Sequence, residues 1–560
     1  MVCTLNDPDA TGGRGLLTPP RHPPEVDSQA PAQQQAPGQR LSFAGRAVGI
    51  LRQLFPEPAE PAPRRMPRSL FVVLLVAAVF VGVLVMLARV PGKYPAWDGL
   101  YAEDFSVFLV QALQHPWQLL IPDGGYIELV PRLIAQFASY LPLRDAAAAF
   151  AISGALVTAG CGLFIFYASA GHVHSAALRC VLALAVVLLP VALLEIADSG
   201  VGAPWYLLFA LFWAVLWRPR TRAGMVGAAA VGFFTAASTT MSIVFAPLLL
   251  ARVIAFPRRR EHAVTAGWTA GCLLQVPDIV SNLTGAHSRA RDPASLRHVL
   301  GFYAHDVVLP ALGWHLAWRL QSFAGRDGAT LIIGGTLTVV FLAALITQRG
   351  SARVFVVASL IIGFLFTAFG AGLSSWVTTS RVMETGEPGS RYTTLPIFLI
   401  GAAAIVAVDS LIRHRQHRLQ IVAAVTALVM VLSVGWVTDF RYQGWRSSAT
   451  DWPPIATAWL HACQHKPDGV ILELTGGTAR TAIPCASLRR LCPLPGFSRE
   501  FYLSRWVRAS GLITAVLFGF AALSWVLAVL LPRRGGGRAR MGSLPKRSSS
   551  LSWDWRSVER

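Results

Sequence analysis

Two adjacent carboxylates, Glu103 and Asp104, are the residues of this chain best suited to acid–base chemistry. They follow the first long apolar run of a chain in which only 14% of residues are charged, so acids here are conspicuous. A carboxylate can take the proton of a hydroxyl group that attacks a sugar carbon, or it can steer a divalent cation. Acids also stabilise the first turn of a helix, which is the structural alternative. We predict that one of the pair is catalytic, with Asp104 in first place.

Arginines beside apolar runs supply the complementary chemistry, because a planar guanidinium offers a fork of donors to a phosphate. The candidate phosphate-binding residues are Arg391, Arg132 and Arg381. An arginine that opens a spanning helix also serves as an interfacial anchor, and this is the alternative for Arg391. Glu195, Asp198 and Tyr392 make a candidate second site, for which plain interfacial polarity is the alternative.

The stretch that must position the acidic pair, residues 97–142, predicts two amphipathic helices joined by a turn. Apolar residues recur at helical spacing at Phe105, Phe108, Leu109, Ala112 and Leu113. A second apolar stripe follows a turn at residues 123–125 and consists of Val130, Leu133, Ile134, Phe137 and Leu141. Amphipathic helices of this kind lie in the membrane interface, so we expect the pair at the boundary of water and lipid.

The composition indicates an all-α polytopic membrane protein, because 54% of the residues are hydrophobic and the mean hydropathy is +0.51. A spanning helix needs roughly 20 apolar residues. About twelve runs approach that length: 69–90, 147–170, 179–197, 203–217, 223–237, 240–256, 263–283, 329–347, 354–373, 393–412, 419–437 and 511–531. The formal net charge of +20 does not indicate nucleic-acid binding, because the arginines lie in patches between these runs.

The arginine patches predict that both termini are cytoplasmic, since nearly all of them fall on one side if the chain crosses at each run. The arginines of the loop 284–327 fall on the other side. We predict that the membrane is a bacterial plasma membrane. The predicted domains are a disordered cytoplasmic tail at 1–66, a membrane core at 67–437 with its first outer loop at 91–146, a small extracytoplasmic α/β module at 438–509, a last transmembrane helix at 510–532 and a basic cytoplasmic tail at 533–560.

The predicted outer module contains three cysteines on the side of the membrane where disulfides persist. We predict a Cys463–Cys485 bond, with Cys492 as an alternative partner for either. An earlier outer loop contains three histidines, His298, His305 and His315. They lack the tight spacing of metal-ligand pairs, so no metal site is assigned to them. A divalent cation at the acidic pair remains the one cofactor that the sequence suggests.

Motifs of soluble nucleotide-dependent and hydrolytic enzymes are absent from the sequence. It contains no Walker A motif, no dinucleotide fingerprint in a βαβ setting, no HExxH and no GxSxG. An ATP-driven pump is therefore disfavoured. A donor activated beforehand, such as a sugar on a polyprenyl phosphate, needs no nucleotide site.

The arrangement resembles the GT-C superfamily of polytopic glycosyltransferases, in a branch of uncharacterised bacterial membrane proteins. The resemblance is carried by the Glu103-Asp104 pair and the interfacial helices after it, by GGYIELVPRL at 124–133 and by GSRYTTLP at 389–396. It implies a polyprenyl-phosphate sugar donor, used on the outer side of the membrane, and a catalytic acid at position 103 or 104. The order Glu-Asp departs from the Asp-Glu or Asp-Asp of better-known members, which leaves the catalytic position open.

These observations predict a membrane glycosyltransferase that moves a hexose or pentose to a glycan or lipid-linked acceptor of the cell envelope. A polytopic transporter or lipid flippase is the first alternative, and it predicts ionisable residues within spans and symmetric halves. The sequence shows neither feature clearly. The second alternative is an envelope-assembly scaffold without catalysis, in which residues 438–509 dock partners.

Overall fold

The structure is a computed structural model that is almost entirely helical. It describes residues 43–58, 67–90, 94–101, 103–122, 125–257, 259–283, 294–348, 350–373, 391–414, 418–441, 449–465, 470–473, 480–483 and 485. The predicted last span at 511–531, Arg381 and Cys492 lie outside these residues.

Each of the predicted apolar runs within the described residues coincides with helical structure. The helices are α1 Phe43–Gln53, α2 Arg68–Arg89, α3 Val110–Gln114, α4 Leu129–Ala138, α5 Ala146–Ala168, α6 Ala176–Leu188, α7 Ala203–Leu216, α8 Arg222–Ala236, α9 Ala246–Ala255, α10 Ala263–Leu283, α11 Leu296–Phe302, α12 Trp314–Thr347, α13 Ser351–Leu373, α14 Arg391–His414, α15 Arg418–Thr438 and α16 Trp452–His465. The strands are β1 Gly99–Leu100, β2 Thr450–Asp451, β3 Val470–Glu473 and β4 Arg480–Ile483.

Five of the described helical segments are long and apolar enough to cross a membrane. They are Ser69–Arg89, Leu143–Gly171, Trp314–Thr347, Ser351–Ala371 and Arg391–Arg413. Shorter apolar helices pack among them, and α7 is buried along its whole length. A helix that is apolar all round is buried in a core or in lipid. The chain is therefore an all-α membrane protein.

Small residues let two of these helices approach closely. A Cβ added at Gly267 of α10 would lie 2.0 Å from the backbone oxygen of Ala229 in α8, and one at Gly232 would lie 2.6 Å from that of Val264. No larger side chain fits at that separation. Close backbone contact through small residues is how helices associate in lipid, where apolar burial gives little driving force.

A short helix lies within the residues that the sequence assigns to the N-terminal tail. Residues that the sequence assigns to a disordered segment form α1 and then pack on the core, with Leu54 and Phe55 both buried. The Phe55 ring meets Phe256 edge-on at 5.8 Å, and Arg52 donates to the backbone oxygen of Ala255. The apolar face of this short helix is enough to order it against protein.

A buried arginine organises the same end of the helices. Arg252 is 1% exposed, and its guanidinium donates to the backbone oxygens of Val215 and Trp217 and pairs with Glu261 at 3.3 Å. Arg218 binds the same Glu261 carboxylate at 3.1 Å and reaches Glu57 at 2.9 Å. One carboxylate thus neutralises two arginines, one of them fully enclosed.

We expect Glu261→Ala to lower the free energy of unfolding by about 3 kcal/mol, because it leaves Arg252 as a buried, uncompensated charge. Glu57→Ala is the matched control: Glu57 is 63% exposed, and exposed pairs contribute about 0–1 kcal/mol. Equilibrium unfolding in detergent measures both variants. Equal losses would contradict this account of the cluster.

The last described segment contains a helix and a hairpin. In the hairpin, β3 pairs with β4 antiparallel, with Val470 opposite Ile483. A disulfide joins Cys463 of α16 to Cys485, with 5.3 Å between the Cα atoms, which is the pairing that the sequence predicts. β2 pairs with β1, which lies between α2 and the acidic pair, with Gly99 opposite Asp451.

Candidate functional site

The acidic pair begins an unusual turn of helix. The sequence predicts a regular amphipathic α-helix after the pair, but Asp104–Leu109 forms a π-helix, which continues into α3. The prediction of an α-helix at this position is therefore wrong, because the apolar spacing fits both geometries over so few residues. A π-helical turn carries an extra residue, and such turns are frequent at functional sites.

Asp104 fixes one part of the site to another. It is 1% exposed, and its two carboxylate oxygens accept hydrogen bonds from the backbone N–H groups of Gly200 at 3.1 Å and Val201 at 2.8 Å. The close approach of Asp104 to this backbone requires glycine at position 200, since an added Cβ at Gly200 would lie 2.7 Å from Phe150 and 3.0 Å from Asp104 Oδ1. Asp104 therefore holds the loop before α7 against the stretch that connects α2 to α3.

The same loop contributes one partner of an ion pair, Glu195. Glu195 is 5% exposed, and its Oε1 lies 3.4 Å from Nε of Arg391, while its Oε2 accepts the Arg391 backbone N–H at 3.2 Å. Arg391 is the first residue of α14. Its guanidinium lies over the rings of Trp205 and Tyr392, 5.8 Å and 5.7 Å from their centroids. The aromatic rings hold the flat cation in a fixed orientation.

Tyr126 and Glu128 complete the surroundings of Arg391. The Tyr126 hydroxyl is hydrogen-bonded to Glu128, and Arg391 and Tyr392 are within electrostatic reach of the phenol. The charge of Glu128 and then burial raise the pKa of Tyr126 well above its ordinary range. The phenol therefore stays protonated near neutral pH and remains a donor.

Glu103 differs from its neighbour in being only partly buried. Its carboxylate is within electrostatic reach of Arg391. The pair thus divides into an enclosed carboxylate with both oxygens engaged and a more open one within electrostatic reach of Arg391. A proton acceptor has to be reachable by its substrate, so the second position suits that task better.

The remaining predicted residues take separate places. Asp198 is buried with a φ of 50°, a left-handed conformation that aspartate tolerates better than most side chains. Arg132 lies one helical turn after Glu128 in α4, donates to Gln111 Oε1 at 2.5 Å and stacks over Phe108. Arg381 is outside the described residues.

The three outer-loop histidines do not share a site. His298 contacts Ser295, His305 contacts Thr330 and Asp327, and His315 binds Asp439. Within the described part of the chain, no three histidine, cysteine or acidic side chains converge in the way that a bound metal requires.

An apolar groove of about 810 Å³ lies between α2 and α5. Its lining includes Leu87 near one end of α2 and Ile152 of α5. Ile152 lies two residues from Phe150, whose ring packs beside Gly200 and Asp104. One helix, α5, thus contributes both to the groove and to the packing around the acidic pair.

Sequence reasoning missed several members of the site. Tyr126 and Glu128 belong to the GGYIELVPRL stretch, which carried the resemblance but received no role. Trp205 also received no role in the sequence analysis. The role of the backbone N–H groups of Gly200 and Val201 could not be recognised from the sequence, because it does not depend on a side chain. Comparison with known protein families, curated proteins and solved structures finds no match to this chain.

Proposed function

We propose that this chain is a glycosyltransferase that moves a sugar from a polyprenyl-phosphate donor to an acceptor hydroxyl at the outer face of a bacterial plasma membrane. The observation that carries the proposal is the Glu195–Arg391 pair with its aromatic neighbours, held beside a half-buried Glu103. An arginine fork suits a phosphate. A carboxylate beside it suits a proton acceptor for the attacking hydroxyl.

In the proposed reaction, Arg391 holds the phosphate while the acceptor hydroxyl attacks the anomeric carbon. A bond forms from the acceptor oxygen to that carbon, and the bond from the carbon to the phosphate oxygen breaks. The electron pair leaves with the polyprenyl phosphate, and Glu103 takes the hydroxyl proton. Because the phosphate is already a good leaving group, positioning and one base suffice. Inversion at the anomeric carbon follows from this single displacement.

Glu103 replaces Asp104 as the residue that we propose for the base. Both oxygens of Asp104 accept backbone N–H groups, and such bonds stabilise the charged carboxylate and weaken it as a base. Asp104 then serves to fix the loop that carries Glu195. The half-buried Tyr126, whose hydroxyl is hydrogen-bonded to Glu128, is within electrostatic reach of Arg391.

The isoprenoid tail is placed in the groove between α2 and α5. This groove is apolar and lies on two membrane-length segments, one of which, α5, also contributes Phe150 to the packing around Asp104. A lipid that enters laterally would bring its phosphate to the polar cluster while its tail stays in hydrocarbon.

The proposed topology has about twelve spans, because the chain contains about twelve apolar runs that approach the length of a spanning helix. The arginine patches then lie in the cytoplasm together with both termini. Residues 438–509 form a small extracytoplasmic α/β module in this topology. The acceptor is a glycan or lipid-linked molecule of the cell envelope.

The test uses the full chain in vesicles with radiolabelled polyprenyl-phosphate hexoses and pentoses and an envelope extract as acceptor. We expect time-dependent loss of label from one donor, with release of polyprenyl phosphate. Movement of labelled donor across the bilayer with no chemical conversion would contradict the proposal and favour a flippase.

A further inference from the structure

We propose that the described residues of the segment 449–485 position the acidic pair, with Trp452 and Trp459 as positioning residues. The expected effect on turnover rests on the proposed function. The structural part of the inference, that these residues hold the acidic pair in place, rests on contacts alone. The first outer loop and this segment are about 350 residues apart in sequence. They meet through backbone pairing, aromatic packing and a disulfide-closed helix.

Backbone pairing is the first link. β1 lies three residues before Glu103 and pairs antiparallel with β2, with Leu100 opposite Thr450. The Trp452 backbone N–H continues the contact by donating to the backbone oxygen of Asp98 at 2.8 Å. The chain that leads into the acidic pair is thus bound to the start of α16.

Aromatic packing is the second link. Phe105 directly follows the pair, and its ring lies 5.2 Å from the rings of both Trp452 and Trp459. The two indoles meet edge-on at 5.3 Å. Trp452 is 2% exposed, and its indole N–H donates to the backbone oxygen of Leu143 at 2.6 Å. That bond fixes the indole in one orientation, and Phe105 rests against it.

The disulfide is the third link. Trp452, Ala456, Trp459 and Cys463 recur at helical spacing, and all four are buried, so they form one face of α16. Cys463 ends this face and is bonded to Cys485, which follows β4. β4 in turn packs beside α3, the continuation of the π-helix. The segment therefore contacts the element that carries the pair at both ends.

The π-helix is consequently held from two directions. On one side the N–H groups of Gly200 and Val201 bind Asp104, and on the other the indoles of α16 support Phe105. Glu103 directly precedes these two supported residues. A misplacement of about 1 Å at a reacting group can lower a rate by about 10²-fold. Loss of one support should therefore reduce turnover with little effect on donor affinity.

The test replaces Trp452 by alanine in the full chain, with Leu460→Ala as the matched control on the exposed face of α16. We expect Trp452→Ala to lower kcat by about 10–10²-fold with KM for the donor within about twofold, and Trp452→Phe to restore most of the loss. Hydrogen exchange at Gly200 and Val201 should accelerate in Trp452→Ala and stay unchanged in Leu460→Ala. Phe105→Leu, a milder change, should shift both quantities in the same direction.

A double variant separates a positioning effect on Glu103 from a general loss of folded structure. In a Glu103→Gln background, Trp452→Ala should add almost nothing to the loss of kcat, because residues that act through one another are not additive. Full additivity would overturn the proposal, as would unchanged exchange at Gly200 and Val201 in Trp452→Ala. If the parent protein transfers no sugar, the proposed function fails, while the exchange measurement still decides whether the segment holds the pair.

Discussion

Glu103→Gln is expected to lower the turnover of sugar transfer by about 10²–10⁴-fold, the range that a positioned general base contributes. Glutamine keeps the size of the side chain and a hydrogen-bond acceptor but cannot take a proton. Because Glu103 is only partly buried, the fold should tolerate the change. Steady-state transfer from labelled donor in vesicles, with unfolding in detergent as a second readout, measures both effects.

Two variants sharpen that result. Asp145→Asn, an acid in the short helix Leu143–Asp145 before α5, should transfer sugar at the parental rate. Asp104→Asn should also lose activity but, unlike Glu103→Gln, should lose stability as well. The reason is that one carboxylate oxygen is replaced by an amide N–H₂, which cannot accept the hydrogen bond from the backbone N–H of Gly200 or Val201. Parental turnover in Glu103→Gln, with loss only in Asp104→Asn, would return the role of base to Asp104.

Arg391→Gln is expected to raise KM for the donor by about 10²-fold, because it removes a charge-assisted bond to phosphate of about 1.5–3 kcal/mol. It also leaves Glu195 buried opposite a neutral group, which costs about 3 kcal/mol of folding free energy. Arg391→Lys keeps the charge but loses the fork, so we expect it to recover stability better than donor affinity. Donor titrations at saturating acceptor measure KM.

Arg413→Gln is the matched control at the opposite end of α14. Arg413 also pairs with a buried acid, Asp409, at 3.3 Å. The two variants therefore both remove an arginine from a buried carboxylate on one helix, and only one lies beside the acidic pair. If Arg413→Gln raised KM as much as Arg391→Gln, the phosphate role would be wrong and the effect would be one of fold.

Hydrophobic periodicity was sufficient to place most helices, because an apolar run such as that of α2 is stable in lipid only as a helix. A break near Gly325, with a φ of 72°, divides Trp314–Thr347 shortly before the sequence becomes predominantly apolar at about residue 329. Periodicity could not separate a π-helix from an α-helix after Glu103. The difference is a single residue per turn, settled by the tertiary contacts of Asp104 and Phe105.

The candidate site was predictable in its residue types and not in its partners. Glu195 and Arg391 were each conspicuous as charges in an apolar chain, yet the two lie 196 positions apart and no local pattern links them. The role of Asp104 depends on two backbone N–H groups, which every sequence contains. The docking of Trp452 against Phe105 is equally non-local, since neither residue differs from an ordinary core aromatic until both are placed.

The most direct test of the central claim is an experimental structure of the full chain in a lipid nanodisc with a polyprenyl-phosphate sugar bound. We expect the phosphate within hydrogen-bond distance of the Arg391 guanidinium, the anomeric carbon beside Glu103 and the tail between α2 and α5. A lipid phosphate bound away from Arg391, or a Glu103 carboxylate that faces the cytoplasmic side, would contradict the account.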